Sequence, residues 1–210
     1  GGRIRVVGQS RTVAGIGEWG PDSGTASAAT MVLEIAADAD AVIRAEVPIC
    51  ASNWFITSGT FDALHKLLVD QGTADAGDIT IGPEGTLISE VNSAVPVAVR
   101  PNAGRGGTFT VNGRLILAGS GQRINMLTTA FNNIVEYNSA TGQGMAAKYT
   151  GTGLYQYNHL VLSGGGTKIL ADNTTVTGSL TRKGTATLSL GSPTAKTLTY
   201  GPDAELVYGG

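Results

Sequence analysis

The sequence predicts an all-β chain wound as a parallel β-helix of irregular coils, and three observations carry that prediction. Short apolar alternations return every few residues; in the stretch 157–190 they are Leu160-Val161-Leu162, Lys168-Ile169-Leu170, Thr175-Val176 and Ser179-Leu180. Glycine, Ser-Gly, Asp-Asn and Thr-Gly steps fall between them, and such steps end strands and open turns. The chain also matches itself. Thr110-Val111-Asn112-Gly113-Arg114-Leu115 matches Thr175-Val176-Thr177-Gly178-Ser179-Leu180 at an offset of 65 residues, and Phe131-Asn132-Asn133-Ile134-Val135 matches Tyr157-Asn158-His159-Leu160-Val161 at 26. Gly82-Pro83-Glu84 and Gly201-Pro202-Asp203 form a weaker pair, each followed by a strand. Strands this short cannot bury an apolar face alone, so they must stack on copies of themselves. The offsets suit coils of roughly 20–26 residues. At about 4.8 Å per coil, eight to ten such coils make a rod on the order of 40–50 Å long.

Composition agrees. Glycine supplies 31 of 210 residues, charged residues only 14% and aromatic residues 6%. With 41% hydrophobic residues and a net charge of −2, the chain is not of the disordered class. A near-neutral surface gives no electrostatic footprint for nucleic acid or an anionic membrane. No apolar run is long enough to cross a bilayer and no signal peptide is visible, so membrane insertion is not expected. Gly1-Gly2 and Gly209-Gly210 at the two ends read as a mature form or an excised segment. Cys50 is the one cysteine, which excludes an internal disulfide and reads as a small buried thiol beside Ile49.

In chain order, Arg3-Ile4-Arg5-Val6-Val7 is an alternating strand with basic residues on one face. A loop with Trp19 follows, and residues 1–31 form an N-terminal strand and capping region, with the solenoid assigned to 32–210. Val32–Ile35, Ala41–Val47 and Trp54–Ile56 are the next strands. Asp38 and Asp40 between them read as a solvated turn, because the glycine-spaced acidic nonapeptide of calcium-binding rolls is absent. Thr60–Val69 has Phe61, Leu64, Leu67 and Leu68 at helical spacing, yet Leu67-Leu68-Val69 also reads as a strand, and another coil is the preferred reading. Strands at Asp78–Ile81, Thr86–Ile88 and Val95–Val99 lead to the turn Asn102–Gly107, which lacks the Gly-Lys-Ser/Thr ending of a phosphate loop. The expected inward row is Val111, Leu115, Leu117, Leu160, Leu162, Leu170, Val176, Leu180, Leu188 and Leu190.

The stretch Tyr157-Asn158-His159-Leu160-Val161-Leu162-Ser163-Gly164-Gly165-Gly166-Thr167-Lys168-Ile169-Leu170, continued by ADNTTVTGSLT from Ala171 to Thr181, resembles the repeats of large secreted surface proteins of Bacteroidota. Those repeats have the form Y-x-N-L-x-L-S-G-x-G-T-K-T-L followed by T-V-x-G-x-L-T. The match is clear over about 106–210 and only general in style over 1–105. The resemblance implies a right-handed parallel β-helix, export by the type IX route and an extracellular, adhesin-like or fibrous role. It carries over no catalytic residue, because the repeat motif is structural. The C-terminal sorting domain of such cargo is missing here, which fits a fragment of a longer solenoid or a subunit whose edge a partner covers.

Three function classes follow. The first is a non-catalytic structural or adhesive cell-surface module, a subunit of an end-to-end filament. Its assembly edges would be Arg3, Ile4, Arg5, Val6 and Val7 at one end and Ala204, Glu205, Leu206, Val207 and Tyr208 at the other, with Arg3 and Arg5 facing Asp203 and Glu205 of the next subunit. The second is carbohydrate binding, where Tyr149, Tyr155 and Tyr157 would place aromatic faces beside the hydrogen-bonding groups of Gln156, Asn158 and His159. The third, a polysaccharide lyase or hydrolase, rests on fold analogy alone. Asp38/Asp40 and Asp75/Asp78 lack the basic or aromatic framework that such a site needs, so no catalytic residue is assigned. Cys50, His65 and His159 are too few and scattered for a metal centre, and no cofactor is expected. Asn173-Thr174-Thr175 is a glycosylation sequon by pattern.

Overall fold

The computed structural model describes residues 2–13, 32–46, 49–64, 67–69, 77–90, 94–95, 97–98, 107–120, 123–124, 126, 128–145, 155–191 and 195–209. Among them there are strands, turns and bends but no helix, and every strand pairing is parallel. Trp19, His65, Asp75, Tyr149, the turn expected at 102–106 and the Cys50 side chain lie outside the described residues.

Among the described residues the chain winds as a parallel β-solenoid of nine coils. Its first face is the ladder β1 (Arg3–Gly8), β3 (Val32–Ala37), β6 (Asn53–Ala63), β8 (Ile79–Ser89), β11 (Thr108–Val111), β14 (Thr128–Tyr137), β16 (Tyr155–Leu162), β18 (Thr174–Lys183) and β20 (Leu198–Tyr200). The long strands continue round a bend into a second face, where β2 (Arg11–Val13), β4 (Val42–Ala45), β12 (Arg114–Leu117) and β21 (Glu205–Gly209) complete the coils. Three short sheets make a third face: β5 (Ile49–Ala51) with β7 (Leu67–Val69) and β10 (Val97–Ala98); β9 (Ala94–Val95) with β13 (Arg123–Ile124); and β15 (Gln143–Gly144) with β17 (Thr167–Ile169) and β19 (Thr187–Ser189).

Inward residues stack in columns, as period-two alternation in registered strands requires. One column on the first face runs Val6, Ile35, Ile56, Ile81, Val111, Phe131, Tyr157, Val176, Tyr200. On the second face Ile43, Phe61, Leu87, Leu115, Val135, Leu160, Leu180 and Leu206 do the same. The internal sequence matches are therefore coil repeats. The 26-residue offset is one coil, since Phe131 pairs with Tyr157. The 65-residue offset is three coils, Val111 to Phe131 to Tyr157 to Val176. Gly82 and Gly201 each follow a member of that same column, Ile81 and Tyr200.

Coil length varies more than the expected 20–26 residues. Along the first face the intervals run from 19, between Tyr157 and Val176, to 30, between Ile79 and Phe109. Arg3–Gly8 and Arg11–Val13 pair with β3 and β4, so the solenoid already includes the segment placed ahead of it as a capping region. Thr60–Val69 is the end of β6 followed by β7, the coil reading rather than the helix. Asp38 and Asp40 are exposed in a turn.

The expected inward row is buried from Val111 through Leu180, and Leu188 is partly buried. Leu190 is the exception at 44% exposed, because β19 ends at Ser189 and the chain leaves the third face there. At the bend coils approach closely. A Cβ on Gly113 would lie 2.2 Å from the carbonyl oxygens of both Gly82 and Gly85, so only glycine fits.

Two polar side chains occupy inward positions on the third face. Gln143 donates to the carbonyls of Leu117 (2.7 Å) and Gly119 (2.8 Å) in the coil before it, and its oxygen accepts from the Ser139 amide at 3.1 Å. In the next coil Lys168, 0% exposed, donates to the carbonyls of Ser139 (2.6 Å) and Gly165 (2.9 Å). Each ties its own turn to the coil before it through buried backbone carbonyls. Burial lowers the Lys168 pKa.

Leu180, 4% exposed between Leu160 and Leu206, tests the column directly. Leu180→Ala is expected to destabilise the chain by about 2–5 kcal/mol in a denaturant titration. Truncation of the outward Thr181 in the same strand is expected to change stability by no more than about 0.5 kcal/mol.

Candidate functional site

The tyrosines read as a glycan platform belong to the core. Tyr155 and Tyr157 are each 1% exposed because the alternation Tyr-Gln-Tyr-Asn turns both rings inward. Tyr157 stacks on Phe131 at 5.1 Å and on Tyr155 at 6.1 Å, and its hydroxyl meets that of Tyr137 at 2.9 Å. Burial and the Tyr137 neighbour push its pKa well up. His159 points outward on the second face, with Nδ1 2.9 Å from Ser179 Oγ. Asn173 is exposed at the start of a coil, and its side-chain oxygen accepts the Thr197 amide at 2.9 Å.

The two assembly edges differ. At the N-terminal end Ile4 is partly buried, and Val6 and Val13 are 4% and 3% exposed. Arg3 and Arg5 already bridge Glu34 at 2.6 and 3.3 Å, so they do not stand free to meet Asp203 and Glu205 of another subunit. At the other end Leu206, Val207 and Tyr208 are 50%, 38% and 69% exposed, and Tyr200 is 42% exposed beside them. Leu206 and Tyr200 continue the inward columns, and no coil among the described residues covers them. The Arg182 guanidinium lies 5.7 Å over the Tyr208 ring.

Buried carboxylates line the outside of the second face, each paired with an arginine of an adjacent coil. Asp62 bonds Arg44 at 2.8 Å through Oδ2, while its Oδ1 has no partner. Glu136 takes Arg114 on Oε2 and the Ser163 hydroxyl on Oε1. No group of three or more His, Cys, Asp or Glu suited to a metal ion occurs among the described residues.

A cleft of about 380 Å³ opens on the outside of the bend, over coils six to eight. Thr129, Ala130, Phe131, Asn132, Gln156, Asn158 and Thr177 line it. Two register shifts create it: between Phe131 and Ile134 where β14 meets β16, and between Tyr157 and His159 where β16 meets β18. Irregularities of this kind bend a strand and re-aim side chains. An amide ladder fixes its wall: Asn132 Nδ2 donates to Asn112 Oδ1 (2.9 Å) and Asn158 Nδ2 to the Asn132 carbonyl (2.9 Å). Thr177 donates to the Tyr157 carbonyl at 3.2 Å. Opposite Asn158 the next coil carries Gly178, whose Cβ would stand 2.5 Å from Asn158 Oδ1. Sequence reasoning reached Gln156 and Asn158 only as hydrogen-bonding neighbours of the tyrosines and missed Thr129, Asn132 and Thr177, because Asn and Thr also serve plain turns. The signal was the aligned Asn132 and Asn158 within the 26-residue match.

The Glu136 cluster yields a pH prediction. Desolvation raises its pKa, but the Ser163 hydrogen bond and the Arg114 hydrogen bond and charge outweigh that, and the net shift is below the ordinary 4.5. A depressed folded pKa means stability that is present above the unfolded value and lost as pH falls through the folded one. Glu136→Gln is expected to cost about 1.5–3 kcal/mol at neutral pH. The gap to the parent should narrow as the pH falls below 4.5 in parallel denaturation curves.

No family model, no curated protein and no solved structure matches the chain.

Proposed function

We propose that this chain is a non-catalytic structural and adhesive rod of the bacterial cell surface, and that it joins a second copy of itself through its C-terminal coil. The observation that carries the reading is the apolar last coil, which no other coil among the described residues covers. Tyr200 and Leu206 extend the buried columns yet are 42% and 50% exposed, with Tyr208 at 69% beside them. Among the described residues β20 and β21 pair only with β18, so their outer backbone groups form a free parallel edge. Such an edge is a template for another strand. Burying each of these large side chains contributes about 1.5–3 kcal/mol, and added backbone pairing fixes the register.

The cell-surface placement and export rest on the resemblance carried by residues 157–181 to Bacteroidota surface repeats. The adhesive role rests on the same resemblance, together with a long lateral surface of exposed threonine and amide side chains. Head-to-tail stacking would place the open coil on β1, whose outer edge has no partner among the described residues. Because Val6 and Val13 are covered and Arg3 and Arg5 hold Glu34, only Val7, 48% exposed, adds apolar surface in β1, and the larger apolar contribution to the joint comes from the C-terminal coil.

Sedimentation velocity of the 210-residue chain over a wide concentration range tests this. The expected result is concentration-dependent association that disappears in the double variant Leu206→Glu, Tyr208→Ser, with an unchanged melting temperature. An open series of sizes supports head-to-tail stacking and a limiting dimer supports pairing of two open ends. A parent that stays monomeric at every concentration overturns self-association.

A further inference from the structure

We infer that the bend cleft over coils six to eight is a binding site for a neutral oligosaccharide. This gives a ligand class to the adhesive role proposed above and rests on that reading, but it involves residues far from the open coil end. The chemistry of the wall selects the ligand. Thr129, Asn132, Gln156, Asn158 and Thr177 offer amides and hydroxyls, and among the described residues no ionisable side chain lines the cleft. A phosphate, a uronate or a cation would find no countercharge there, whereas a neutral polyol exchanges its water hydrogen bonds for equivalent ones.

The wall is also pre-organised. Asn132 and Asn158 are held by their own amide hydrogens, on Asn112 Oδ1 and the Asn132 carbonyl, so ligand binding need not order them. The exposed Gln156 amide has no side-chain hydrogen bond among the described residues and is the donor and acceptor left to a ligand. Polar groups recur from coil to coil at about 4.8 Å, so an extended ligand laid along the rod axis meets Asn132 and then Asn158. At about 380 Å³ the cleft is at the small end of known pockets, which run from roughly 300 to 1,000 Å³. The rings of Phe131, Tyr155 and Tyr157 face the core and give the ligand no stacking platform. Hydrogen bonds alone then set a weak affinity, with Kd about 1 mM. Adhesion of many rods on one surface multiplies such contacts.

The test is a titration of the isotope-labelled full chain, read on side-chain amide NMR signals. The neutral probes are tetrasaccharides of glucose, mannose, galactose and N-acetylglucosamine, and tetragalacturonate is the acidic probe. The expected result is a saturable shift of the Asn132, Gln156 and Asn158 amides with at least one neutral probe, while the Asn173 amide stays still. Gln156→Ala, an exposed change that should leave the melting temperature alone, is expected to weaken binding by about tenfold. No shift with any neutral probe at about 20 mM, an equal shift with tetragalacturonate, or undiminished binding by Gln156→Ala overturns the site. These results are independent of sedimentation: a monomer that binds sugar keeps the cleft and loses the filament, and an assembly that binds none does the reverse.

Discussion

Everything in this molecule depends on the parallel backbone ladder between successive coils. No coil closes its own hydrogen bonds, so each is a folded unit only when another lies against it at about 4.8 Å. The ladder fixes the register, and the register decides which side chains meet. Because the coils repeat along one axis, a residue's neighbours are the residues one coil before and one coil after. Column volume is then adjusted within each coil. Where the first face carries Trp54, the second face carries Phe61 and the small Ala63, with Trp54 and Phe61 packed at 5.6 Å. Where the second face enlarges to Tyr137, the first face offers Tyr157, whose ring meets it edge-on at 6.4 Å and whose hydroxyl hydrogen-bonds with it. Close packing of this kind leaves little room for single changes of size.

Charges follow the same one-coil rule. Glu34, Asp62 and Glu136 point away from the core but are nearly buried by their neighbours, and each takes its arginine from an adjacent coil. Lys168 and Gln143 do the equivalent inside, linking consecutive turns through backbone carbonyls. Breaking one such contact leaves an uncompensated buried group, so these contacts act more on register than on net stability. Two atoms among them, Asp62 Oδ1 and Arg114 Nε, are buried without a hydrogen-bond partner, each a local cost.

The fold was legible in the sequence because apolar alternation, glycine turns and coil-spaced matches all describe one repeating unit. The matches at 26 and 65 residues coincide with structural register. What escaped was anything that alternation alone cannot rank. Tyr155 and Tyr157 invite a binding role by residue type, yet their spacing of two with Gln156 between them turns both inward. Lys168 sits at an inward position that charge argues against, and only the two carbonyls around its ammonium explain it. Leu190 lies one residue beyond β19, a boundary that sequence patterns place poorly. The cleft needed two register shifts at the bend, and no residue type announces them.

The claim beneath all of this is that coils stack in parallel register along one axis. Spin labels on the outward column that runs from Thr12 through Arg44, Asp62, Ile88, Ile116, Glu136, Val161 and Thr181 to Val207 measure it directly. Thr12 and Val207 stand eight steps apart in that column, which predicts a backbone separation of ~38 Å, and Thr12 to Ile116 four steps, or ~19 Å. Pulsed dipolar spectroscopy giving distances that grow in proportion to coil number agrees with the solenoid. A Thr12–Val207 distance no longer than Thr12–Ile116, as two face-to-face antiparallel sheets would produce, contradicts it.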